Sequence, residues 1–275
     1  MKNLNDFAAK SIHSVRVGSK GTTPVVLLHA ASLDLTYWDA QFEALSQTHD
    51  VVAFDWPGHG RSSSLSDQVR FEDFAEVVAA VVQEAVGEPA HIVGISMGSM
   101  AAQYFALQHP ELVRSLCLIG SACTLAEPVR QAMRDRAAKA RREGMQAILA
   151  MATSHWFTPE FRRRRPDVID RVEKTFLAFD PGQYAALWEM IARLETRERL
   201  AGLVCPTLVL VGEQDASTPP AAARLIGDRI AGARVETIPG AAHLVPMEAP
   251  QEVNRLLQTF FSEVEREKKP GLDLA

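Results

Sequence analysis

A chain of 275 residues has room for a sizeable core in one large domain or two ordinary ones, and 47% apolar with 23% charged residues is the balance of a globular enzyme. A formal net charge of −5 argues against a nucleic-acid partner. No apolar run approaches the roughly 20 residues that cross a bilayer, and residues 1–10 are polar with no signal-peptide centre, so no membrane association and a cytoplasmic location are expected.

The first half alternates strand and helix signals. Residues 14–18 read as an edge strand. Pro24–Leu28 (PVVLL) and Asp50–Phe54 (DVVAF) are short apolar runs of the kind covered on both faces. Residues 71–86 carry apolar side chains at helical spacing. A strand at 90–94, a helix at 101–107 and a strand over Val113–Ile119 follow. That alternation predicts a parallel sheet with helices on both faces. It breaks off between about 122 and 200, where the periodicity is helical. It resumes at 207–211 and Arg234–Ile238, with helices at about 220–231 and 249–266 and a loose tail at 268–275. Charge separates along the same boundaries. Residues 128–200 hold 15 Lys and Arg against 10 Asp and Glu, and the remainder holds 14 against 24. A basic helical segment is set into an acidic body.

Cys117, Cys123 and Cys205 lack metal-ligand spacing, and no CxxC or HExxH occurs. Buried free thiols are expected, with no metal and no cofactor.

Gly94-Ile95-Ser96-Met97-Gly98 matches G-x-S-x-G between a predicted strand and a predicted helix, which is the setting of a nucleophile elbow. Such a turn strains the serine backbone and exposes its hydroxyl, while two glycines avoid clashes with the neighbouring strand and helix. The plainer reading of Ser96 is a helix cap. Ser96 needs a base. Behind an elbow the chain order is Ser, then Asp or Glu, then His. Of the three histidines after Ser96, His109 precedes a proline and His155 lies in the helical segment. His243, in the loop after the last strand, is the expected base. Asp215, beyond the strand at 207–211, is the expected orienting acid, with Glu213 as its competitor. The oxyanion donors are assigned to the N–H groups of Met97 and Ala31, with Ala30 as the lesser choice for the second.

The stretch Asp55-Trp56-Pro57-Gly58-His59-Gly60-Arg61-Ser62 resembles the strand-4 turn of the α/β-hydrolase superfamily, in which it is structural. The resemblance implies a mostly parallel eight-stranded sheet with flanking helices, built from residues 1–121 and 201–275. It also implies a helical lid, 122–200, inserted after strand 6. Ala30 departs from the family, where many members carry glycine after the histidine of this loop. The segments His155-Trp156-Phe157-Thr158-Pro159-Glu160-Phe161, Phe179-Asp180-Pro181-Gly182-Gln183-Tyr184, Arg197-Glu198-Arg199-Leu200 and Leu33-Asp34-Leu35-Thr36-Tyr37-Trp38-Asp39 are similar to 3-oxoadipate enol-lactonases.

This narrower likeness implies a serine hydrolase that opens a small, carboxylated enol-lactone through an acyl-enzyme, with Trp156 and His29 as substrate-binding candidates. A basic lid fits an anionic substrate, although the run Arg162 to Arg165 reads as solvated surface. Rivals on the same fold are a general carboxylesterase, another lactonase, a carbon–carbon bond hydrolase of ring-cleavage products and, more remotely, a non-catalytic ligand receptor.

Overall fold

The computed structural model describes residues 12–18, 22–64 and 68–267; the polar residues 1–10 and the tail 268–275 lie outside the described residues. Seven strands form one sheet: β1 (Ser14–Val17), β2 (Pro24–Leu28), β3 (Asp50–Phe54), β4 (Ala90–Ile95), β5 (Val113–Ile119), β6 (Thr207–Gly212) and β7 (Arg234–Ile238). Their order is β1-β3-β2-β4-β5-β6-β7. β1 pairs antiparallel with β3, and all other neighbours are parallel.

Every residue of β2, β3, β4 and β6 is buried, as continuous apolar strands sandwiched between helices must be. The edges differ. β1 and β7 keep most of their residues partly or fully exposed and carry Arg16, Arg234 and Glu236.

Among the described residues the sheet has seven strands where eight were expected, and the helical segment follows the fifth of these seven. Helix α1 (Asp39–Leu45) precedes β3. Helix α2 (Phe71–Val81) runs on through one π-turn to Val86, where Gly87 takes a left-handed conformation and ends it. Helix α3 (Met97–Gln108) starts four residues before the expected 101, because Gly98 and Ser99 hide its first turn from propensity.

Between β5 and β6 stand α4 (Glu127–Glu143), α5 (Leu149–Thr153), α6 (Pro159–Arg164), α7 (Pro166–Leu177) and α8 (Pro181–Ile191). Three of these open on proline, which suits a first helical position. Thr158 and Asp180 cap α6 and α8 through side-chain oxygens that accept the Phe161 and Gln183 N–H groups. A Thr124–Glu195 bridge and the Thr196 N–H to Cys123 carbonyl bond (2.8 Å) pinch the two ends of the segment together. Helices α9 (Pro220–Gly227), α10 (Val245–Glu248) and α11 (Pro250–Glu267) complete the chain. Among the described residues, no helix is long and apolar enough to cross a membrane.

Cys117 is buried in β5 and Cys123 in the loop beyond it, where burial pushes the Cys123 thiol up to about 11. Cys205, expected to be buried, sits just before β6 and is partly exposed.

Candidate active site

β4 ends at Ile95 and α3 begins at Met97, so Ser96 alone makes the turn, at φ 53° and ψ −121°. This is a region almost reserved for glycine and costs on the order of 1–3 kcal/mol. Two flanking glycines allow it. A Cβ on Gly94 would lie 2.6 Å from the Gly98 carbonyl, and one on Gly98 would lie 2.2 Å from the Leu28 carbonyl oxygen. Strand and helix therefore meet closer than any side chain permits, and the turn lifts the Ser96 hydroxyl towards the loops beyond the sheet.

Those loops bring the expected partners together. His243 Nε2 lies 3.0 Å from Ser96 Oγ, and His243 Nδ1 lies 2.8 Å from Asp215 Oδ2. Asp215 is buried. Its Oδ1 accepts the N–H groups of Ser217 and Thr218, both at 2.8 Å, and its Oδ2 also accepts the Thr218 hydroxyl at 2.8 Å. Burial pushes this carboxyl up, but the charge and hydrogen bond of His243 with the Thr218 donors outweigh it and hold the group below its ordinary value. Glu213, the competitor, is exposed and accepts the Gly240 N–H at 2.9 Å, away from the imidazole.

The loop after β2 works without glycine by shifting the unusual conformation onto Ser32, at φ 61°. Ser32 is held there by its N–H, which donates to His59 Nε2 at 3.0 Å. Ala30 and Ala31 line the cavity over Ser96. Met97 is the first residue of α3, where an N–H has no intrahelical partner.

His29 does not reach the cavity. Its ring is fully buried: Nδ1 donates to the Ala30 carbonyl at 2.8 Å and Nε2 accepts the Trp56 N–H at 3.2 Å. The expectation that it touches substrate is corrected accordingly; both ring nitrogens are spent on the loop. Trp156 does line the cavity, and its carbonyl accepts the Leu244 N–H at 2.9 Å, joining the helical segment to the His243 loop. Glu248 strengthens that joint, accepting from Ala242 N–H (2.8 Å), Thr158 N–H (3.0 Å) and the Thr158 hydroxyl.

His59 and His29 must both be neutral, because each ring donates through Nδ1 and accepts through Nε2. Burial lowers both from their ordinary value near 6.5. Below that pH the unfolded chain takes up protons that the native loop refuses, so stability falls as pH falls. Replacing His59 with Gln should flatten the slope of unfolding free energy against pH, below pH 6, by about 1.4 kcal/mol per pH unit. Urea titrations of both proteins at pH 5–7 measure it, and equal slopes would show that His59 does protonate in the native state.

The cavity has a volume of about 280 Å³. Its floor is Ser96, His243 and Thr218, and its walls include Trp156, Trp188 and Met133. One cation stands on that wall, Arg136 of α4. Its guanidinium lies 3.4 Å over the Trp188 ring, its Nε is buried without a hydrogen-bond partner, and none of the described salt bridges includes it. Burial pulls its pKa down, against the nearby Tyr184, which raises it. By contrast, Arg162, Arg164 and Arg165 pair with Glu173, Glu160 and Asp167 outside the cavity. Arg136 went unnoticed in the sequence, although Val129, Ala132, Met133 and Arg136 share one helical face on which it is the single charge.

Residues 23–250 match a family described as alpha/beta hydrolase fold. The chain is 26% identical over 241 residues to 3-oxoadipate enol-lactonase 2 of Acinetobacter baylyi, covering 88% of this chain and 89% of that one. The enol-lactonase of Burkholderia xenovorans superposes with a TM-score of 0.87 at 27% identity, covering 91% of this chain and 96% of the other. A thermophilic esterase of Thermogutta terrifontis, solved with malate bound, superposes at 0.86 with 28% identity, covering 92% and 93%.

Proposed function

Because the chain belongs to the α/β-hydrolase family, we propose that it is a serine hydrolase of small carboxylated esters or lactones, with a carboxylated enol-lactone as the leading substrate. Helices α4–α8 act as its lid. The observation that carries the substrate class is Arg136. A guanidinium facing a small cavity with no carboxylate of its own is a charge waiting for one, and a carboxylate supplies a bidentate partner. The likeness to two enol-lactonases and to an esterase solved with malate bound supports a small carboxylated substrate.

With the acid of the substrate on Arg136, the lactone carbonyl sits over Ser96. His243 Nε2 takes the hydroxyl proton as Ser96 Oγ bonds to the carbonyl carbon. The N–H groups of Met97 and Ala31 hold the resulting oxyanion. On collapse the ring C–O bond breaks, and the departing oxygen receives the proton from His243. The acyl-enzyme is then attacked by water, whose proton passes to His243 and back to Ser96, releasing the acid. Asp215 keeps Nδ1 protonated throughout and balances the imidazolium.

Turnover of 3-oxoadipate enol-lactone, p-nitrophenyl acetate, a neutral lactone and a ring-cleavage dienoate by wild type and Arg136→Met tests the reading. Loss of a buried charge partner should lower kcat/KM for the carboxylated enol-lactone about 100-fold while neutral esters change less than about threefold. Equal losses on charged and neutral substrates would remove the carboxylate from the proposal and leave a general esterase.

A further inference from the structure

At the end of the strands opposite Ser96, three side chains with metal-ligand chemistry converge from distant parts of the chain. His49 immediately precedes β3, His91 is the second residue of β4, and Glu265 lies in the last turn of α11. One ligand atom of each lies within 4.8 Å of the other two. His49 and His91 are buried, and Glu265 is half-buried.

The orientation of the rings matters more than their proximity. His91 Nδ1 is engaged by the Ser115 hydroxyl at 2.7 Å, which turns its Nε2 towards Glu265 at 3.5 Å. His49 Nδ1 is engaged by the Thr48 hydroxyl at 2.8 Å. Each imidazole thus has the outer hydrogen bond that fixes the tautomer of a metal-ligating histidine. Phe261 of α11 stacks on His91 (centroids 4.2 Å apart) and meets His49 edge-on (5.3 Å), so neither ring can swing away. The 3.5 Å His91–Glu265 separation is long for a hydrogen bond, and the Glu265 carboxylate also takes a side-chain hydrogen bond from Thr23.

We propose that His49, His91 and Glu265 form a structural site for a divalent transition cation of the zinc class, which clamps α11 to the base of β3 and β4. Two imidazole nitrogens and one carboxylate are borderline donors, suited to zinc, cobalt(II) or nickel and poorly suited to calcium or magnesium. Ligands at about 2.1 Å in a tetrahedral arrangement are roughly 3.4 Å apart, so the trio closes on a cation by side-chain shifts of about an ångström, and water completes the fourth position.

Four intervening residues of β4, at about 3.3 Å each, separate His91 from Ser96, so the cation takes no part in the chemistry there.

The test uses the full chain after chelator treatment, with zinc alone and cobalt(II) alone as probes. At zinc about 100 times its Kd, the wild-type Tm should rise by about 5 °C, and cobalt(II) should give the visible absorption of a four- or five-coordinate site. Glu265→Gln, at a half-buried surface position, and His49→Gln should lose both responses while keeping wild-type turnover of p-nitrophenyl acetate. An Asp215→Asn variant should keep both, which separates this site from metal bound at the candidate catalytic histidine. An absent response in wild type, or an equal one in Glu265→Gln and His49→Gln, would overturn the site.

Discussion

Ser96→Ala should lower kcat by about a millionfold, to the residual rate that binding and oxyanion donors alone sustain. The folded state should barely notice. The bonds that hold the turn run through the backbone of residue 96: its N–H to the Ile119 carbonyl at 3.0 Å, and its carbonyl to Met100 N–H at 3.0 Å and the Ser99 hydroxyl at 2.6 Å. Alanine keeps all three and bears the same strained φ. Only the hydroxyl contact with His243 goes, so Tm should move by less than about 2 °C, within the range of a single partly exposed hydrogen bond. Burst kinetics with p-nitrophenyl acetate, alongside a melting curve, measure both. A variant that retains full turnover would place the nucleophile elsewhere and end the acyl-enzyme proposal.

The elements that were legible in the sequence are those with local causes. Ser96, Asp215 and His243 each stand just past the end of a strand, and strand ends are marked by apolar runs and glycine within a few residues. Other features depend on distant neighbours. His29 follows β2 as a substrate contact would, yet Trp56, 27 residues on, donates to its ring and turns it into the loop. Arg136 is significant for what it lacks, a carboxylate, and pairing cannot be read from a segment in which most other arginines are salt-bridged across turns and helices. His49, His91 and Glu265 have no motif spacing because three separate elements carry them. The position of the helical segment was visible as a break in alternation. Its place in the strand count was not, since counting needs every strand, and only seven occur among the described residues.

Asp215→Asn should be the next most damaging change, at about 10^4-fold in kcat, although the side chains have nearly the same shape. The reason lies in how four donors divide between two oxygens. Oδ1 accepts the Ser217 and Thr218 N–H groups, so the asparagine carbonyl must stay there, since an NH2 would face two donors. The amide nitrogen therefore takes the place of Oδ2, opposite His243 Nδ1 and the Thr218 hydroxyl. The hydroxyl can rotate and accept. The imidazole can only respond by giving up its Nδ1 proton, and its remaining proton then sits on Nε2, which faces Ser96 Oγ at 3.0 Å and can no longer accept from it. Nucleophile, base and cavity all remain in position, and the base holds its proton on the wrong nitrogen. Glu213→Gln is the control. Its carboxylate serves the exposed Gly240 N–H, a bond the Gln carbonyl oxygen can also accept, so kcat should change by less than about twofold. The reverse outcome, a damaged Glu213→Gln with an intact Asp215→Asn, would move the acid to Glu213. It would also require the His243 loop to leave the hydrogen bond at 2.8 Å that now fixes the ring.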